Sequence, residues 1–153
     1  MSVYKSRRKD AAAQFIADAA ELRKYTVRVV RRFPKSYRYT TNALLELASE
    51  VYINAIKGNA IYLHKDLSEK DYELRHRYLM IACSSADAMC GEITFCYGLV
   101  DEGNNFFDSK AEYEKAFQTW TTLANNALTR LRGVLESDKK RWGGYRKKAE
   151  AAR

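Results

Sequence analysis

The sequence predicts an all-α protein, folded as an antiparallel up-down four-helix bundle. Three observations carry this reading. One proline and seven glycines in 153 residues leave too little punctuation for a many-turned β fold. Apolar residues make up 46% of the chain, enough for one compact core. Four stretches place their apolar residues at alternating spacings of three and four, the signature of one buried helix face.

The first stretch carries Ala12, Phe15, Ala19, Leu22, Thr26 and Val29, and ends near Phe33 because Pro34 disfavours helical backbone in the residue before it. The second starts near Thr40 or Thr41, or a few residues earlier. It shows two stripes, Leu44, Leu47, Val51, Ala55 and Leu45, Ala48, Tyr52, Ile56, Ala60, Leu63. A helix apolar on two faces sits centrally or meets another subunit, and Gly58 is small enough for close helix approach. Ser68, three residues before Asp71, is a candidate N-cap for the third helix. That helix is expected to present Tyr72, His76, Leu79, Cys83, Ala86, Cys90, Ile93 and Tyr97 as its seam, fading near Gly98 and stopping by Asp101–Asn105. Ser109 and Glu112 form a capping box that opens the fourth helix, with Tyr113, Phe117, Trp120, Ala124, Ala127, Leu131 and Val134 on its core face.

Gly143 and Gly144 are expected to break the fourth helix, so residues 1–138 are assigned to the bundle and 139–153 to a flexible basic tail. Charge is distributed in the same way. The net charge of +8 divides into +8 over residues 1–38, −6 over 39–138 and +6 over 139–153. An acidic body with basic ends points to polyanion binding, to contacts between unlike surfaces, or to both.

No run of about 18 uninterrupted apolar residues is present, so no membrane span is expected. The basic start lacks an apolar segment behind it, so no secretory signal is expected either. Cys83 and Cys90 stand seven apart on one helix, roughly 10 Å along its axis. That is beyond disulfide reach, and inert thiols in a reducing, cytoplasmic compartment are expected.

Catalytic constellations are sparse. A di-metal carboxylate bundle needs Glu-x-x-His on two helices, and only Glu73–His76 has that spacing. Glu46 and Glu50 do not complete the set. Ser84 and Ser85 lie inside a helical pattern without a nucleophile elbow, and no P-loop or Gly-x-Gly-x-x-Gly occurs. No catalytic residue, metal site or cofactor is assigned, and the chain is read as a non-enzyme.

The basic ends carry the functional signal. Lys24, Arg28, Arg31, Arg32, Lys35 and Arg38 surround the first turn, interleaved with Tyr25, Phe33, Tyr37 and Tyr39. Compensation of a helix dipole accounts for one or two cations, not six. Guanidinium forks suit phosphates, and aromatic faces stack on unpaired bases. The same mixture recurs as Lys139, Lys140, Arg141, Trp142, Arg146, Lys147 and Lys148. These thirteen residues are the candidate nucleic-acid contacts; a solvated face, or a surface for another protein, is the competing reading.

The stretch RRFPKSYRYTTNALLELASEVYINAIKGN, with Phe33-Pro34-Lys35, Arg38-Tyr39 and Asn54 to Gly58, resembles the second-helix region of a family of small four-helix-bundle proteins of bacteria and phages. The family includes proteins of ribosomal-RNA intervening sequences and the accessory variability determinant (Avd) of diversity-generating retroelements. YLMIACSSADAMCGEITFCYGLV looks like its third helix, with the small-Ser step at Ser84-Ser85. Tyr37 and Lys57 stand where the family has acidic residues, and the usual glutamate after the serines is replaced by a nearby Asp87. The resemblance spans roughly Tyr25 to Asp138. It implies a homopentameric barrel of bundles and, for the Avd branch, binding to a reverse transcriptase and its structured RNA or RNA–DNA hybrid during mutagenic cDNA synthesis. The intervening-sequence branch implies an RNA-binding bundle with another partner. A small metal-dependent enzyme centred on Glu73 and His76 is the reading from a different class.

Overall fold

The computed structural model describes residues 3–100 and 106–153, with side-chain surroundings from Gln14 onward. Four helices follow one another: α1 (Val3–Val30), α2 (Arg38–Asn59), α3 (Glu69–Leu99) and α4 (Lys110–Ala151). No strand occurs among the described residues. Each helix packs on its neighbours in the chain, and α4 closes the ring against α1, so the fold is a four-helix bundle.

The predicted stripe of α1 lies in the core from Phe15 through Ala19, Leu22 and Thr26 to Val29, all buried. Ala12 lies outside the residues whose side chains are described. Thr26 is buried without loss because its hydroxyl donates to the Leu22 carbonyl (2.7 Å) and accepts from the Trp120 indole (2.9 Å). Buried polar atoms need such partners. The α4 stripe is likewise buried at Phe117, Trp120, Ala124, Ala127 and Leu131, with Tyr113 and Val134 at its margins.

Both predicted N-caps form. The Ser68 hydroxyl accepts from the Asp71 amide and the Ser109 hydroxyl from the Glu112 amide, each at 3.1 Å. Gly58 allows the predicted close approach, since a Cβ there would stand 2.7 Å from Leu79 Cδ2. Helix α1 ends at Val30, three residues before the predicted stop, and turns at Arg32 and Phe33 lead to Pro34.

Two expectations are corrected. The buried line of α3 is Arg75, Leu79, Ala82, Ala86, Met89, Ile93 and Cys96, shared with the predicted seam only at Leu79, Ala86 and Ile93. Tyr72, Cys90 and Tyr97 turn toward α4, meeting Trp142, Asn125 and Tyr113. α3 packs between α2 and α4, so its buried arc is wider than one seam. The second correction concerns residues 139–153. Helix α4 runs through Gly143 and Gly144 to Ala151, so they extend the bundle helix instead of forming a flexible tail. Each glycine costs about 1 kcal/mol against alanine. Side-chain anchors offset that cost. Trp142 stacks on Tyr72 with ring centres 4.5 Å apart, Arg146 pairs with Glu69 at 2.9 Å, and Arg141 donates to the Leu63 carbonyl at 3.3 Å.

Candidate nucleic-acid interface

The antiparallel order places the turn between α1 and α2 at one end of the bundle, with the start of α4. The loop between α2 and α3 lies at the other, with the far part of α4. Contacts fix this register: Tyr25 bonds the Ala116 carbonyl, Asp18 meets Arg130, and Arg75 meets Asp138. The two predicted basic clusters therefore occupy opposite ends. The 27 residues of α4 from Glu112, which pairs with Arg32, to Lys139 separate them by roughly 40 Å.

At the first end, Phe33 sits among Tyr37, Phe106, Phe107, Phe117 and Trp120 with ring centres 4.8–6.4 Å apart. It closes the bundle as an aromatic lid. Arg32 belongs to that lid: its guanidinium lies over the Phe107 ring at 4.4 Å and pairs with Glu112 at 3.1 Å. Glu112 thus serves Arg32, whereas a reciprocal capping box would bring it back to its own N-cap. Lys24 lies beside Glu21 at 3.6 Å, an exposed pair of small energetic value.

Arg28, Arg31, Lys35 and Arg38 are exposed, and no carboxylate lies within ion-pair distance of them among the described residues. Arg38 lies over the Tyr39 ring at 5.2 Å, and Tyr39 is 78% exposed. This end also holds the N-terminus of α2, which has no acidic residue in its first turn and no side-chain cap. A 3-10 turn over Lys35–Tyr37 leads straight into α2, its Lys35 carbonyl accepting the Arg38 amide, and the positive dipole end of this helical run lies in the same region as the cations. Such a cluster is electrostatically unfavourable by itself and is relieved by an anion.

At the second end, a buried ion pair organises the chain. Arg75 is 7% exposed and bonds both Asp138 oxygens, at 2.7 and 3.2 Å. Its remaining fork donates to the Gly58 and Ile61 carbonyls at 3.1 and 2.9 Å. The charge is thereby satisfied, and the last turn of α2, the loop, α3 and α4 are tied at one point. Among the predicted contacts, Arg141, Trp142 and Arg146 are engaged within the chain; Lys140 leans on Glu136 at 3.8 Å. Lys139, Lys147 and Lys148 are exposed, with no carboxylate in reach among the described residues. Sequence reasoning missed Tyr62, which stands 72% exposed on the α2–α3 loop at this end. An aromatic between two turn signals was its only trace.

A third surface lies along α3. Leu74, Ile81, Ala88 and Phe95 recur every seven residues on its outside, with Ser84 and Gly91 between them and Met80 and Leu99 alongside. Phe95 is 57% exposed. α3 is also long and apolar enough, by length and composition alone, to cross a membrane; less than half of that apolar window is buried, and core helices of bundles pass the same test. Arg77 and Glu92 interrupt this stripe, so the exposed apolar side chains alternate with charge along it.

No group of three His, Cys, Asp or Glu side chains is placed to hold a metal among the described residues. Glu73 is exposed, and His76 packs near Tyr72 with Nδ1 buried and without a hydrogen-bond partner. Cys83, Cys90 and Cys96 are free thiols. Burial raises the pKa of all three, that of Cys96 to about 12, so they stay protonated and poorly nucleophilic at neutral pH. No family model, curated protein or solved structure matches the chain.

Proposed function

We propose that the protein is a non-catalytic, homo-oligomeric, RNA-binding accessory of a diversity-generating retroelement. It holds template RNA or an RNA–DNA hybrid through its basic ends and docks the reverse transcriptase. The observation that carries the RNA part is the α1–α2 turn. There Arg28, Arg31, Lys35 and Arg38 lack carboxylate partners beside the uncapped N-terminus of α2 and the exposed Tyr39 ring. Phosphates complete both the cations and the helix end, and the ring offers a face to an unpaired base. The retroelement and polymerase part is supported by the resemblance around Phe33-Pro34-Lys35 and Asn54 to Gly58. An intervening-sequence-type RNA-binding bundle is the alternative on the same residues.

Assembly is supported by the apolar face of α3. Buried between subunits, Ile81, Phe95 and their neighbours leave water, and Ser84, Ala88 and Gly91 let backbones approach. The resemblance expects five copies in a ring, for which light scattering of the purified protein is the measurement. A monomer at micromolar concentration would remove the assembly claim.

The RNA reading is tested by a salt titration of binding to a structured RNA. Arg31→Ala with Lys35→Ala should weaken binding and flatten the plot of log affinity against log salt by about 0.7–0.9 per lost phosphate contact. Arg32 is left intact because it supports the lid. An unchanged slope would sink the turn as an RNA surface.

A further inference from the structure

We infer that the loop between α2 and α3 is a stacking subsite for single-stranded nucleic acid, with Tyr62 as its platform and Lys148 as its phosphate contact. The inference rests on the nucleic-acid reading and adds a second, chemically different site at the opposite end of the bundle.

Three observations carry it. Tyr62 is among the most exposed large side chains described, so it makes little contribution to the core. Its ring lies nearly parallel to His64, with centres 6.0 Å apart and planes inclined by 19°. The His64 Nδ1 accepts from the Asp66 amide at 3.2 Å, which orients the ring. Lastly, the loop is held at two of its carbonyls and at one in the last turn of α2. Arg75 holds Gly58 and Ile61, Arg141 holds Leu63, and the Leu63 side chain is itself buried. An exposed aromatic on a pinned loop is pre-organised: little further ordering is lost when a flat ligand covers it.

The charge around it selects the ligand. Arg141, Tyr145 and Lys148 follow at i, i+4 and i+7 and so share one face of α4; Arg141 meets the loop at the Leu63 carbonyl and lies 3.3 Å from Tyr145 Oη, and Lys148 stands about 10 Å further along the helix. Lys65 adds an exposed cation to the loop, next to the exposed Asp66, and Lys148 has no carboxylate partner among the described residues. Aromatic faces interleaved with cations suit a strand whose bases are unpaired and whose phosphates run alongside. A duplex hides its base faces and gains nothing from Tyr62.

The test uses the full-length chain and a fluorescein-labelled 12-nucleotide oligouridylate, followed by anisotropy at several salt concentrations. Tyr62→Ala should weaken binding roughly tenfold without changing the salt slope, because the ring contacts no phosphate. Tyr62→Phe should bind as the parent does. Lys148→Ala should lower the slope by about 0.7, the single-strand value for one phosphate. Binding of a blunt RNA duplex should be unaffected by Tyr62→Ala. If Tyr62→Ala binds the oligomer as tightly as the parent, the subsite is overturned while the basic-turn reading stands. If the parent binds no polyanion, both fall. If polyglutamate binds with the same dependence on Tyr62, the occupant is an acidic polypeptide and the inference is wrong. Circular dichroism of Tyr62→Ala should match the parent, since the side chain is outside the core.

Discussion

The two ends of this bundle are closed by different physics. At the α1–α2 turn, Phe33, Phe106, Phe107, Phe117 and Trp120 make an apolar lid, and most cations stay outside it. At the α2–α3 loop, the closure is a buried Arg75–Asp138 pair whose spare donors hold backbone carbonyls. An apolar lid tolerates truncation in proportion to the area lost. A buried ion pair behaves differently, because removing one member strands the other in a poorly solvating place. The contrast also bears on the proposed function. The lid end has cations to spare for a ligand, whereas the ion-pair end uses Arg75, Arg141 and Arg146 for its own structure and leaves mainly lysines free.

The largest effect that tests this contrast is at the ion pair. Asp138→Ala should destabilise the fold by about 3–5 kcal/mol in denaturant unfolding, while Arg75→Met combined with Asp138→Leu should recover most of the loss. A loss below about 1 kcal/mol for the single variant would show that the pair is not closing that end. Phe33→Ala should cost about 2–3 kcal/mol, less than the roughly 3–5 kcal/mol of a fully buried phenylalanine because Phe33 is only partly buried. A cost as large as that of Asp138→Ala would erase the difference between the ends.

Gly143→Ala with Gly144→Ala should raise helicity and add up to about 2 kcal/mol of local helix stability, since a methyl group added at either position meets no atom within 4 Å and each site is helical. Circular dichroism and amide exchange over residues 139–151 read this out; no gain would mean that this segment is not persistently helical.

A further test lies in the pH profile. Burial raises the Cys96 thiol from 9.0 to about 12 and the Tyr113 hydroxyl from 10.0 to about 12. Above pH 9 the unfolded chain releases these protons first, so it binds fewer protons than the folded chain and stability falls as pH rises. Below that pH both states keep the protons and neither group contributes. Unfolding followed from about pH 7 to about pH 11 should show this decline, and Cys96 should resist thiol reagents at about pH 8 until the chain unfolds.

The helices and their caps were legible because each rests on local pattern. Ser68 and Ser109 announce themselves within three residues, and the α1 and α4 stripes need only a period near 3.6. The α3 seam was displaced because two partners widen its buried arc, and spacing alone does not say which margin meets α4. Arg75 and Asp138 were not legible as a pair: 63 residues separate them, and each by itself looks like a solvated charge. The continuation of α4 was hidden for the same reason, since the Tyr72–Trp142 stack that sustains it joins distant segments. At the candidate interface, the cations of the first turn were recognised, but spacing did not separate Arg32, committed to Phe107 and Glu112, from the uncommitted Arg31.

One consequence of the unbroken α4 concerns ligand length. The helix is continuous from its capped start to Ala151, which sets the interval between the two basic surfaces. On the proposed nucleic-acid reading the molecule would work as a gauge: a polyanion shorter than roughly 40 Å would occupy one end and leave the other to a second strand, while a longer one would span both in cis. Stoichiometry should therefore change in a step as the ligand lengthens, from two short strands per subunit to one long strand.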